Sequence, residues 1–258
     1  MGNRRRRARG VCILSVVVVL AAVRAAAEET NVKSLSAGLA YDHFSRSVVW
    51  SGDEAASKIL AHRISARADI AMESGLVLAF TAGFSLSGFP ALTFDGLPVS
   101  LQFDGASVGG FALGAEVAAP WKTVGDFEIG AAGWFVYSFG KTETWPLEGF
   151  AVEGQAEGLP SWMDIGAGPR VAYLSFGRVR PYLEVTARLL WAEFRMSETL
   201  GDIVAAETKK VKGDFALAIA LGADARVTDR ITVKAKAGFM PASGGVDGLV
   251  SLGALYGF

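Results

Sequence analysis

The sequence predicts an all-β chain closed into an antiparallel up-and-down transmembrane β-barrel, for which ten strands fit best. Three observations carry this. Period-two alternation of apolar with polar or small residues recurs in ten segments. The chain is 51% hydrophobic and holds 31 Gly, yet beyond residue 27 no stretch approaches the length of apolar run that a membrane helix needs. The closing strand puts Val250, Leu252, Ala254, Tyr256 and Phe258 on one face, and Ser251, Gly253, Leu255 and Gly257 on the other. A face of that kind, ending on aromatics at a water boundary, is what closes a barrel in lipid.

The elements follow in order. Residues 1–27 read as a secretory signal: Arg4 to Arg7 and Arg9, an apolar run from Val11 to Val23, then Ala25-Ala26-Ala27 as a small-residue cleavage site. Residues 28–258 then form one barrel domain. Six of the 25 basic residues lie before residue 28, leaving 19 against 26 acidic ones, a formal charge of −7. The single Cys of the chain, Cys12, goes with the signal. No disulfide framework is available, and the charge argues against a nucleic-acid partner.

Strands are expected near 33–44, 58–72, 75–87, 106–119, 123–139, 162–175, 179–195, 209–226, 229–240 and 246–258. Long links at 45–57, 88–105, 140–161 and 196–208 alternate with short turns at Glu73-Ser74, Pro120-Trp121-Lys122, Phe176-Gly177-Arg178 and Val227-Thr228-Asp229. Long outer loops alternating with short turns on the side of both termini is the rhythm of an even-stranded membrane barrel. Outward aromatics are expected at two heights. Tyr41, Phe84, Tyr137, Trp191, Phe215 and Phe239 mark the outer one; Phe127, Tyr173, Tyr256 and Phe258 mark the inner one. Phe127 and Tyr137 share a strand ten residues apart, about 25 Å along the normal of a tilted strand. A soluble, lipocalin-like barrel would instead turn its apolar face inward.

The opposite face carries Arg63, Arg67, Asp69, Glu116, Glu128, Asp164, Arg170, Glu184, Arg188, Asp214, Asp224, Lys234 and Lys236. Two readings stay open: an ion-pair network filling a narrow lumen, or a wet passage whose charges select solutes. The apolar residues of the outer links also stay open. Phe89, Phe94, Leu97, Leu101 and Phe103 in 88–105, with Trp145, Phe150 and Leu159 in 140–161, either offer a contact patch or fold into the barrel mouth.

Catalytic and metal chemistry are not expected. His43 and His62 are the only two His, read as unrelated, with His43 interfacial and His62 on the outer part of the second strand. Asp42 and His43 are neighbours on a strand, so they point to opposite faces and cannot form a dyad. No metal-ligand spacing or phosphate loop appears.

The signal segment and the closing strand together resemble those of a small, single-chain Gram-negative outer-membrane β-barrel protein, with Ser251, Gly253, Tyr256 and Phe258 matching its terminal assembly signal. The resemblance implies an outer-membrane location, the lipid bilayer as a permanent partner, and the barrel assembly machinery and periplasmic chaperones during biogenesis. It implies no cofactor. The chain departs from omptin proteases, ten-stranded barrels of this membrane, in lacking any Asp-Asp pair. Two functions are compatible: a narrow passive channel for small polar solutes, or a non-conducting structural or surface-interaction (adhesin-like) barrel acting through loops 88–105 and 140–161.

Overall fold

The computed structural model describes residues 31–97, 100–103, 107–149, 152–242 and 245–258. The expected signal segment, and Phe150 in the third outer link, lie outside them. The described residues form thirteen strands: β1(Val32–Val48), β2(Ser57–Met72), β3(Val77–Gly88), β4(Leu92–Phe94), β5(Leu101–Phe103), β6(Ser107–Val124), β7(Phe127–Gly140), β8(Glu143–Pro146), β9(Gly154–Tyr173), β10(Val179–Leu200), β11(Ile203–Arg226), β12(Ile231–Ala242) and β13(Gly245–Gly257).

All pairings are antiparallel, and they close a ring β1-β2-β3-β6-β7-β9-β10-β11-β12-β13 that returns to β1. The seam between β1 and β13 runs from Ser36↔Gly257 to Phe44↔Leu249. The expectation of ten strands is met in part. Ten strands make the ring, β8 extends the sheet beside β9, and β4 with β5 forms a separate hairpin. Closure removes the unpaired edges that an open sheet would expose.

Alternation sets the facing. Leu39, Ile64, Phe80, Phe84, Phe111, Phe135, Leu183, Leu217, Leu221, Val233 and Leu252 are all exposed on the outside of the ring. Their chain neighbours turn inward: Ala40, Ser65, Ala79, Ser85, Val136, Glu184, Ala216 and Ala218 are buried. The aromatic heights are visible in the contacts. Near the end where β1 begins and β13 ends, Phe127 meets Tyr173 at 5.2 Å between ring centroids, Tyr173 meets Phe176, and Tyr256 meets Phe258. Toward the other, outer end, Phe84 meets Phe111 and Tyr137 meets Phe139. Tyr41 and Phe239 are exposed, while Trp191 is half-buried beside Gly213.

Three connections differ from expectation. Pro120-Trp121-Lys122 is not a turn: β6 continues through it, with a register shift between Pro120 and Lys122 that leaves Trp121 bulged and exposed. A bulge tolerates Pro because the ladder bond is already lost there. The chain reverses instead at Gly125-Asp126, where Gly125 has φ 58°. Residues 196–208 are not a loop but the paired arms of β10 and β11, which reverse at Gly201-Asp202 with Gly201 at φ 58°. A two-residue turn with Gly first matches the twist of the strands it joins. The third outer link is shorter than 140–161 because β9 already begins at Gly154.

Candidate functional site

The interior has two zones. In the inner half, toward the short turns, charged side chains gather into adjacent ion-pair groups. Arg67 bonds Asp69 at 2.7 Å and Glu116 at 2.8 Å, and Lys234 reaches the other oxygen of Asp69 at 2.6 Å. Arg170 lies 3.6 Å from both Glu184 and Asp224, and Lys236 lies 3.6 Å from Glu184. Arg180 pairs with Glu128, and further toward the mouth, beside Tyr41, Arg63 pairs with Asp42 at 2.9 Å. Higher up, Asp164 accepts from Arg188 at 2.5 Å and from the Trp134 indole at 2.6 Å.

Aromatic rings and glycines shape the space between these charges. The Arg170 guanidinium stacks 3.8 Å over Tyr182, and Tyr182 lies across Gly222, its register partner. Trp134 covers Gly166 in the same way: a Cβ at Gly166 would sit 2.2 Å from the indole. Cavities of about 100 Å³ and 70 Å³ lie among them, sharing Glu116, Trp134, Glu184, Lys236 and Ser251 as lining.

The outer half holds a large apolar cluster, with the buried Arg46–Asp214 pair set against it at Met240. Phe44, Val48, Trp50, Ile59, Trp162, Leu190, Phe194, Met196 and Met240 are buried there in one cluster with Phe89, Leu92, Phe94 and Phe103. The last four belong to the β4–β5 hairpin and its base, which folds into the mouth as a lid. Phe194 is its anchor, meeting Phe89, Phe94 and Phe103 at centroid distances of 5.0, 5.4 and 5.4 Å, with Trp145 on Phe103 at 5.0 Å. The apolar residues of 88–105 therefore cap the lumen instead of forming an exposed patch. Trp50 closes the side of the first link, its indole donating to Ser57 at 2.6 Å. That link is tied to the β11 arm through Ser51 N–H to Lys210 O at 2.9 Å and Lys209 to Asp53 at 2.6 Å.

Where the lid meets the arms, Glu207 accepts from the Asp95 N–H at 2.9 Å and pairs with Lys209 at 3.0 Å. Glu198 is buried beside Gly96, and neither of its carboxylate oxygens has a hydrogen-bond partner. Burial pushes its carboxyl up from the ordinary value, and the negative charges of Glu207 and Asp95 push it further. Burial opposes the charge of Lys209, but bonds to Asp53 and Glu207 outweigh it and hold the ammonium above its ordinary value.

All thirteen charged residues named from the sequence as lumen-facing are engaged in ion pairs inside the ring or at its mouth. Others were missed. Arg46 is buried and bonds Asp214 at 3.0 and 2.5 Å, and Arg180, Trp134 and Tyr182 complete the network. Arg46 shares parity with Asp42 and Phe44, so extending the first strand by one pair of residues would have found it. The two histidines, read as unrelated, are register partners across β1 and β2, with ring centroids 4.5 Å apart.

Register, facing and a filled interior together define a closed antiparallel β-barrel with an apolar outer surface. No family model matches the chain, and no curated protein does. Among solved structures, the outer membrane protease OmpT from Escherichia coli is similar at 10% identity and TM-score 0.47, over 88% of this chain and 97% of that one. The translocator domain of the autotransporter NalP from Neisseria meningitidis is similar at 13% identity and TM-score 0.46, over 95% and 98%. Ail, the attachment invasion locus protein of Yersinia pestis, is similar at 15% identity and TM-score 0.35, over 87% and 97%.

Proposed function

We propose that the protein is an integral outer-membrane barrel whose resting lumen does not conduct, and that it works through the outer platform made by the lid and the β10–β11 arms. The exposed apolar belt between aromatic tiers is what a lipid-facing surface requires. The observation that carries the sealed reading is the apolar cluster around Phe194. Hydrated ions crossing it would shed water against Phe89, Leu92, Phe94 and Phe194, all fully buried and apolar. Below it, the lumen charges are paired with one another instead of presenting one sign to a passing solute, as a selective route would.

The platform has a surface suited to contact. At the tip of the arms Ile203 and Val204 are exposed, and Val152 of the neighbouring link lies against Gly201. A narrow passive channel requires the lid to leave the mouth. The test is planar-bilayer conductance of the refolded full chain, run beside a variant in which residues 92–103 are replaced by a short Gly-Ser link. The wild type is expected to be silent and the variant to conduct. Discrete, reproducible steps in the wild type would overturn the sealed reading.

A further inference from the structure

We propose that His43 and His62 form a cross-strand binding site for one divalent transition-metal ion of the zinc, nickel and copper class. The pair is imposed by the fold. β1 and β2 pair without a slip from Ser34↔Ala71 to Val48↔Ser57, which puts His43 directly opposite His62. Directly opposed side chains on one face leave their Cβ atoms about 5 Å apart. The rings are 4.5 Å apart between centroids and tilted by 38°. Two imidazole nitrogens bound to one ion at about 2.0–2.1 Å lie roughly 3 Å apart, and rings on directly opposed residues are the side chains placed to supply them.

The chemistry around the pair favours a metal over an ion pair. The flanking charges, Asp42 and Arg63, sit on the lumen side and bond each other at 2.9 Å. On the outer face, the register neighbours of the pair are Val250 and Leu86. The Nδ1 of His43 is buried and has no hydrogen-bond partner. The Nδ1 of His62 meets the Tyr41 hydroxyl at 2.9 Å. With that nitrogen donating its proton to the Tyr41 oxygen, the lone pair of His62 Nε2 is free for an ion, the arrangement that orients metal-binding histidines generally. Imidazole nitrogens suit zinc, copper and nickel over magnesium or calcium. Among the described residues no group of three or more His, Cys, Asp or Glu is gathered for a metal. The pair therefore supplies two ligands, and water takes the remaining positions at the exposed edge of His62. The site lies on the outside of the barrel wall and is independent of the sealed-lumen reading.

The experiment uses the untagged full chain, refolded in detergent and stripped with a chelator. Cu²⁺ is titrated in and followed by electron paramagnetic resonance. One ion per chain with nitrogen couplings is expected, and His43→Asn or His62→Asn should each weaken binding at least tenfold. The double variant reports any other copper site, such as the terminal amine, and undiminished binding there would overturn the proposal. Should a variant fail to fold, the wild type is treated with diethyl pyrocarbonate with and without Zn²⁺. Protection of both histidines by Zn²⁺ supports the site, and equal modification rates overturn it.

Discussion

Replacing Phe194 by Ala would remove the anchor on which the lid rests. The side chain is fully buried, and three of the rings it touches belong to the lid and its base. Truncating a buried Phe costs about 3–5 kcal/mol, of which each edge-on aromatic contact supplies roughly 0.5–1.5 kcal/mol. The Phe194 ring also lies across Gly158 of β9, but the β9–β10 ladder bonds run between backbones, so the loss falls chiefly on lid docking. It raises the open fraction of the lid by roughly 10²- to 10⁴-fold at about 1.4 kcal/mol per decade. Amide hydrogen exchange read by mass spectrometry on the refolded protein measures this. Leu92–Phe94 and Leu101–Phe103 should exchange faster by that factor, while the β9–β10 ladder keeps its wild-type rate. Unchanged lid exchange in a folded variant would refute the reasoning, and so would equal acceleration of lid and ladder.

Two further outcomes follow from the charges. The Glu198 carboxyl is pushed up by burial, then by Glu207 and Asp95, so the docked lid holds a proton more tightly than the open one. Docking should be strongest below the ordinary carboxylate value and weaken as pH rises from there through the raised value. Glu198→Gln should flatten this slope in the lid's exchange rates; a slope that persists would assign it to another group. Arg188→Ala strands Asp164, which is buried and bonded to the lost guanidinium at 2.5 Å. Breaking one side of a buried pair costs about 3–5 kcal/mol, so the temperature at which the barrel loses its folded gel migration should fall. Arg188→Ala combined with Asp164→Asn should recover part of that loss. A single variant as heat-stable as the wild type would mean the pair sits in water.

The strands and their facing were legible because alternation is a local property: each residue's face follows from its neighbours two positions away. Phe127, Ile129 and Phe135 against Glu128 and Trp134 needed nothing beyond the chain itself, and the ring follows that parity. Punctuation was less reliable. Pro120 reads as a turn on its lack of an N–H, but a bulge hides the same defect inside a strand. The arms at 196–208 were missed because their inward face carries Glu198 and Glu207, polar residues that erase the apolar period.

Sequence alone thus determined an alternating chain whose apolar face belongs outward. Only the tertiary structure decided what the interior does. Whether Phe89, Phe94 and Phe103 form a patch or a lid depends on Phe194, about 100 residues further along, and no local pattern encodes that contact. Whether two histidines are strangers or partners depends on where a hairpin turns. A shift of one residue would send His43 and His62 to opposite faces of the sheet, so their meeting is a property of register rather than of composition.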